Sequence, residues 1–255
     1  MKDQRLSKNE YGPHICPKER SNSGKDAWRT KSWNFPILHL SVGLLLSIVA
    51  LLIFADIVDD VRERDDLARF DVAILDIIHR HATNSGIEIA KAVTFSGSVA
   101  WIVILGLVVA AILYRKAQRL MLAGWTAALA GAGVLDVILK WTFHRPRPQW
   151  VNPLVVYPHW NWSFPSGHAT GSVVTYGMLA YLISVVWLHS FRTRAVVISL
   201  SVVLILAIGF SRLYLGVHYP TDVTGGLAAG CVWLTTCITG LEVARRRGML
   251  SLAPA

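Results

Sequence analysis

Three short blocks in this 255-residue chain carry side chains suited to handling phosphate. They are Lys140 with Arg147 and Pro148, then Pro165-Ser166-Gly167-His168, then Ser211-Arg212 followed by His218 and Asp222. Together they bring cations, imidazoles and a carboxylate to the ends of apolar segments, where an ionisable group is costly and marks function. Phosphoryl transfer without a metal needs cations around the equatorial oxygens, a nucleophile, and an acid for the leaving oxygen. Arg147 and Arg212 offer planar forks matched to phosphate, while Lys140 acts as a point charge. Pro165-Ser166-Gly167-His168 reads as a helix start, because proline suits a first turn and a long apolar run follows. Free N–H groups at such a start bind anions. There Gly167 lets the backbone approach closely, Ser166 adds a hydroxyl, and His168 faces the same anion as a proton donor. His218 and Asp222 are four residues apart and share a helical face, with Pro220 tolerable only in a first turn. A carboxylate bonded to one imidazole nitrogen leaves the other free to attack.

Other polar residues nearby are weaker candidates. Arg145 is a candidate accessory that would reach the second phosphate of a diphosphate substrate. Asp136, one turn before Lys140, either tunes that lysine or simply pairs with it to offset membrane burial. His159 would be a substrate contact at most. A metal site built from His168, His218 and Asp222 is disfavoured, because Lys140, Arg147 and Arg212 would repel a dication. No metal and no cofactor are expected.

The elements that must position these blocks are apolar. Hydrophobic residues make up 53% of the chain, and runs near the roughly 20 residues that span a bilayer fall at 37–55, 93–114, 120–139, 169–188, 195–210 and 223–241. The expected fold is therefore all-α, a bundle of six transmembrane helices, the fifth continuing into Ser211 and Arg212. The net charge of +9 raises nucleic acid as a partner, but its distribution points to a membrane instead. Basic residues cluster in 2–31, at Arg115, Lys116 and Arg119, at Arg192 and Arg194, and at Arg245, Arg246 and Arg247. By the positive-inside rule these segments are cytoplasmic, as are both termini. The tripled arginine at 245–247 reads as a stop and a contact for anionic lipid.

The segment after the first helix is acidic and lies outside, as do 141–165 and 211–222. Within it Phe70, Ile74, Ile77 and Ile78 recur at helical spacing and predict a short amphipathic helix covering the bundle. Trp141, Trp150, Trp160 and Trp162 with Tyr157 suit the headgroup level of a bilayer, at the rim of the site. Gly226 and Gly230 predict close helix packing behind His218. Cys16, Cys231 and Cys237 imply no disulfide framework. The expected organisation is a disordered basic tail over 1–36, a membrane domain over 37–241 and a basic tail over 242–255.

The block spacing, with Lys140 seven residues before Arg147-Pro148, Pro165-Ser166-Gly167-His168, and Ser211-Arg212 preceding His218 and Asp222, resembles the type 2 phosphatidic acid phosphatase superfamily. Every specified position matches, in order. The resemblance implies a metal-independent lipid phosphate phosphatase of the PAP2 six-helix type, with its site facing away from the cytoplasm. It implies His218 as nucleophile through a phosphohistidine, Asp222 orienting it, and His168 protonating the leaving group. Lys140, Arg147 and Arg212 would bind phosphoryl oxygens, helped by Ser166 and the Gly167 amide, with Ser211 in support.

Substrates at the right depth include polyprenyl diphosphate, phosphatidylglycerophosphate, phosphatidic acid and lipid A phosphate, and Arg145 tilts the choice toward the diphosphate. The expected partners are the bilayer and a membrane lipid phosphate, with no nucleic acid and no obligate protein partner. The expected location is the bacterial cytoplasmic membrane, with the site on the periplasmic or exterior face. Two rivals remain open. One is a lipid phosphotransferase on the same scaffold, and the other is a proton-coupled transporter or flippase using Asp136, His168, His218 and Asp222 as a relay.

Overall fold

Eight helices make up the described part of the chain, a computed structural model that describes residues 34–63, 66–149, 162–188 and 190–251. They are α1 (Asn34–Glu63), α2 (Asp66–Arg80), α3 (Asn84–Phe95), α4 (Val99–Arg115), α5 (Arg119–Phe143), α6 (Gly167–Val186), α7 (Phe191–Tyr214) and α8 (Pro220–Ser251). The chain divides between His39 and Leu40. Of Met1–His39 the described residues are helical, and Leu40–Ala255 is the unit that carries the rest. Residues 1–33 of the tail expected over 1–36, with Cys16, and also Trp150, Tyr157, His159 and Trp160 lie outside the described residues, while 34–36 belong to α1.

Among the described residues five stretches are long and apolar enough to cross a membrane: Asn84–Arg115, Arg119–Phe143, Gly167–Val186, Phe191–Tyr214 and Pro220–Arg247. Four of them contain the expected runs at 93–114, 120–139, 195–210 and 223–241, Gly167–Val186 overlaps the run at 169–188 and stops two residues short of its end, and α7 continues through Ser211 and Arg212. The run expected at 93–114 differs. It is built from two helices broken at 96–98, where the Ser98 hydroxyl caps α4 by accepting from Trp101 N at 3.3 Å. Tyr176 of α6 holds this bend, donating to Ser96 O at 2.7 Å while accepting from Trp101 Nε1 at 3.0 Å.

The bundle is inverted relative to a water-soluble protein. Large apolar side chains such as Leu107, Val134, Leu200 and Val203 are exposed on its outside. The central helix α6 is lined instead by small and polar residues, with Ala169, Thr170, Ser172, Val173 and Thr175 all buried. This is the pattern expected where lipid is as apolar as the interior and close backbone approach drives packing. Gly226 and Gly230 make that approach, as their spacing predicts. A methyl group at Gly226 would lie 2.7 Å from Ser166 O, and one at Gly230 would lie 2.8 Å from Val173 Cβ. Further from the site, Trp125, Ala128, Val174, Met178 and Leu182 pack into the main apolar cluster.

Helix α2 forms where the amphipathic pattern predicts, but its buried face is turned. Asp71 and Leu75 are buried, Ile74 and Ile78 are half-buried, and Phe70 and Ile77 are exposed. The apolar residues of a helix at a lipid interface need not point inward, so hydrophobic spacing alone misassigns the inner face.

Candidate active site

Four helix ends deliver the three blocks to one place. Lys140 occupies the last turn of α5, which His144 terminates in the left-handed conformation (φ 47°) with its N–H donating to Lys140 O. Arg212 lies in the last turn of α7 and is almost wholly buried. Its Nη1 donates to Thr94 Oγ1 of α3 at 2.9 Å. His168 stands in the first turn of α6, where a methyl group at Gly97 would lie 3.3 Å from its Cδ2, so the 96–98 bend forms a wall beside it. Arg212, His218, Arg147 and Lys140 are all within electrostatic range of His168.

The start of α6 offers the groups that an anion cradle would need. Ser166 precedes the first helical residue, is fully buried, and its hydroxyl has no hydrogen-bond partner among the described residues. A methyl group at Gly167 would lie 3.0 Å from both Asp136 carboxylate oxygens and from Lys140 Nζ. Glycine is therefore what lets the ammonium come down onto the helix start. Lys140 Nζ is held by both Asp136 oxygens at 2.6 Å, so Asp136 is its ion-pair partner and neutralises part of its charge.

His218 lies just before α8 rather than within it. Its side chain is buried, with Nε2 at 3.2 Å from Arg147 Nη1, which also donates to Val217 O at 2.8 Å. A guanidinium only donates, so Nε2 is the acceptor and the ring proton belongs on Nδ1. Nδ1 faces Asp222 Oδ2 and Ser163 Oγ, each at 3.5 Å. Burial, together with the Arg147 and Arg212 cations, pushes the His218 imidazole down to about 3 against the opposing pull of Asp222. The ring is thus neutral at ordinary pH, with a lone pair on the nitrogen that faces the cations.

Asp222 is fixed on every side. Its Oδ2 accepts from Tyr219 N at 2.8 Å, in the manner of a capping-box carboxylate reaching back over the first turn. The Ser163 hydroxyl donates to the same oxygen, and Arg145 Nη1 donates to Oδ1 at 2.7 Å. Ser166 N donates to Asp222 O at 2.9 Å, which ties the anion cradle directly to the α8 start.

The family model described as the PAP2 superfamily matches residues 119–246, half of the chain. The chain belongs to the PAP2 superfamily. It is 35% identical to the phosphatidylglycerophosphatase B of Bacillus subtilis over 97 residues, covering 38% of this chain and 46% of that protein. It is 34% identical to an undecaprenyl-diphosphatase of the same organism over 120 residues, covering 46% of this chain and 55% of that one. The chain thus spans about half the length of these curated relatives. Its fold is similar to the crystal structure of a transmembrane PAP2 type phosphatidylglycerolphosphate phosphatase from Bacillus subtilis. The TM-score is 0.67 at 24% identity, over 79% of this chain and 96% of that one.

At this cluster Arg145 is already engaged by the protein's own carboxylates. Its two terminal nitrogens are engaged by carboxylates, Nη1 by Asp222 and Nη2 by Asp71 at 2.7 Å, and its guanidinium stacks 4.4 Å over the Tyr219 ring. Although burial works against the charge, Asp222 and Asp71 raise the Arg145 pKa above its ordinary value. It is a structural cation beside the site, not an open fork for a second phosphate.

Three residues that contact the candidate site went unrecognised in the sequence: Asp71, Ser163 and Thr94. A signal existed only for Asp71, an acid sharing one helical face with Ile74, Leu75 and Ile78. Ser163 acquires its place because its N–H donates at 2.7 Å to the carbonyl of Arg145, a residue far from it in the sequence.

Proposed function

We propose that this chain is an integral membrane lipid phosphatase that hydrolyses a lipid phosphomonoester or diphosphate through a phosphohistidine on His218. The observation that carries the reading is a buried neutral imidazole whose Nε2 faces Arg147 while its Nδ1 faces Asp222. Arg147, Arg212, Lys140, the Ser166 hydroxyl and the Gly167 amide bind the phosphoryl oxygens. The Nε2 lone pair attacks phosphorus, the bond to the lipid oxygen breaks, and His168 delivers the proton to the leaving group. The negative charge of bound phosphate offsets the surrounding cations and favours a proton on His168. In the second step His168 takes a proton from water, the resulting hydroxide attacks phosphorus, and the P–N bond breaks to release inorganic phosphate.

The six-span topology, with α1 as the first span and both termini cytoplasmic, agrees with the positions of the basic residues. Lys140, Arg212, His168 and His218 sit at helix ends opposite those marked by Arg115, Lys116, Arg119, Arg192 and Arg194. The site would therefore face the exterior of a bacterial cytoplasmic membrane. Two relatives are named for a phosphatidylglycerophosphate and an undecaprenyl diphosphate. With Arg145 engaged by two carboxylates, the residue that tilted the choice toward a diphosphate no longer does so, and a phosphomonoester becomes the first substrate to try. Phosphate release by the purified protein is expected to disappear in His218→Ala, to persist in excess chelator and to be inhibited by vanadate. Full activity in His218→Ala, or strict dependence on an added divalent metal, would sink the proposal.

A further inference from the structure

At the start of helix α8 Asp222 reaches back to Tyr219 N, but the residue before the helix offers no side-chain acceptor to its first amides. Tyr219 precedes it, with its carbonyl accepting from Val223 N at 3.2 Å, and a tyrosine lacks the short side-chain oxygen that Ser, Thr, Asp or Asn would turn back onto the first amides. The acceptor comes from α2 instead. Asp71 Oδ1 accepts from Thr221 N at 3.0 Å, and Oδ2 accepts from Thr221 Oγ1 at 2.5 Å and from Arg145 Nη2 at 2.7 Å. Arg145 Nη1 then reaches Thr221 Oγ1 and Asp222 Oδ1, both at 2.7 Å. One fully buried carboxylate therefore secures both the helix start that carries Asp222 and the guanidinium that grips Asp222.

We infer that Asp71 is a positioning residue for the reaction, acting on His218 through Arg145 and Asp222. The inference rests on His218 being the nucleophile. When Nε2 bonds to phosphorus while Nδ1 keeps its proton, the ring becomes cationic. Asp71, Arg145 and Asp222 together carry one net negative charge behind that ring. Without Asp71 the remaining pair is neutral, and Arg145, released on one side, closes on Asp222 alone. Arg147 meets the ring at Nε2, away from the Nδ1 edge that faces Asp222, so the loss falls on the chemical step more than on substrate binding.

The test is steady-state kinetics on a short-chain lipid phosphate in detergent, alongside vanadate inhibition and thermal melting. Asp71→Asn keeps an oxygen for Thr221 N and removes the charge. It is expected to lower kcat by roughly 10- to 100-fold, below the 100- to 1,000-fold of a donor aimed directly at the reacting oxygens, with KM within about 3-fold and vanadate affinity falling along with kcat, because vanadate bonds to the same nitrogen as the phosphoryl group. Asp71→Glu is expected to recover part of that loss. Arg145→Gln should lower kcat over a similar range, and adding Asp71→Asn to it should cost little more, because groups acting in series are not additive.

Wild-type kcat in Asp71→Asn, multiplicative losses in the double variant, or no recovery with Asp71→Glu would each overturn the inference. Arg145→Gln keeps the test available should Asp71→Asn fail to fold, and wild-type kcat there would also overturn it. His218→Ala separates the two readings. Activity surviving in His218→Ala defeats the nucleophile assignment, whereas its loss there with full kcat in Asp71→Asn defeats only the role of Asp71.

Discussion

His218 keeps a lone pair where the phosphate would sit because two opposing influences act on its two nitrogens. Arg147 faces Nε2 and Asp222 faces Nδ1, so the proton is held away from the cations. Burial comes first among the causes that depress the ring, followed by Arg147 and Arg212, with Asp222 pulling the other way. A group held down to about 3 stays neutral as pH falls through the ordinary histidine range near 6.5. Removing a neighbouring cation must raise its pKa. In 15N-histidine NMR of the detergent-solubilised protein, the His218 ring is therefore expected to remain neutral at pH 5, and to protonate at a higher pH in Arg147→Gln than in the parent. The same substitution should reduce kcat by about 100- to 1,000-fold, the scale for one donor aimed at a developing oxyanion. A ring protonated near pH 6.5 in the parent would contradict the burial argument.

The α6–α8 contact is where packing and chemistry meet. Gly226 sits against the carbonyl of Ser166, and the Ser166 N–H bonds to the carbonyl of Asp222, so the two first turns move together. Gly226→Ala places a methyl group 2.7 Å from a backbone oxygen that has no flexible side chain to yield. Overpacking of this kind costs about 1–3 kcal/mol. The expected result is a lower melting temperature together with a reduced kcat. Gly230→Ala meets Val173 and Thr170 one turn further from the site and should lower the melting temperature with a smaller effect on kcat. Equal kcat losses in the two variants would separate the packing from the chemistry. The small-xxx-small spacing made this contact legible in the sequence. The inner face of α2 was not legible, because lipid accepts Phe70 and Ile77 as readily as a core would, and the buried Asp71 is recognised only once its partners Arg145 and Thr221 are in place.

For the molecule as a whole, helix ends alternate between those bearing surface arginines and lysines and those bearing the site. This arrangement predicts the sidedness of labelling. In a background with Cys16, Cys231 and Cys237 replaced by serine, a cysteine introduced at exposed His144 should react with a membrane-impermeant thiol reagent from outside intact cells. One introduced at exposed Arg192 should react only after the membrane is opened. The reverse pattern would invert the proposed topology. His144 is exposed at the end of α5 and Arg192 in the first turn of α7, where a substitution is expected to leave the packed interior undisturbed.

Residue type and spacing alone singled out the side chains proposed to handle phosphate, since cations, a hydroxyl, imidazoles and a carboxylate at helix ends have few other uses in a membrane. Long apolar runs likewise determined where most of the helices lie, because a span needs only length and hydrophobicity. The tertiary structure alone decided how the charges are shared out. Lys140 is matched by Asp136, and Arg145 is divided between Asp71 and Asp222, while Arg147 is turned toward the His218 lone pair. The reason is physical. Pairing depends on distances between residues as far apart in the chain as Asp71, Arg145 and Asp222, and only the folding of α2 against the start of α8 brings those three within hydrogen-bonding reach.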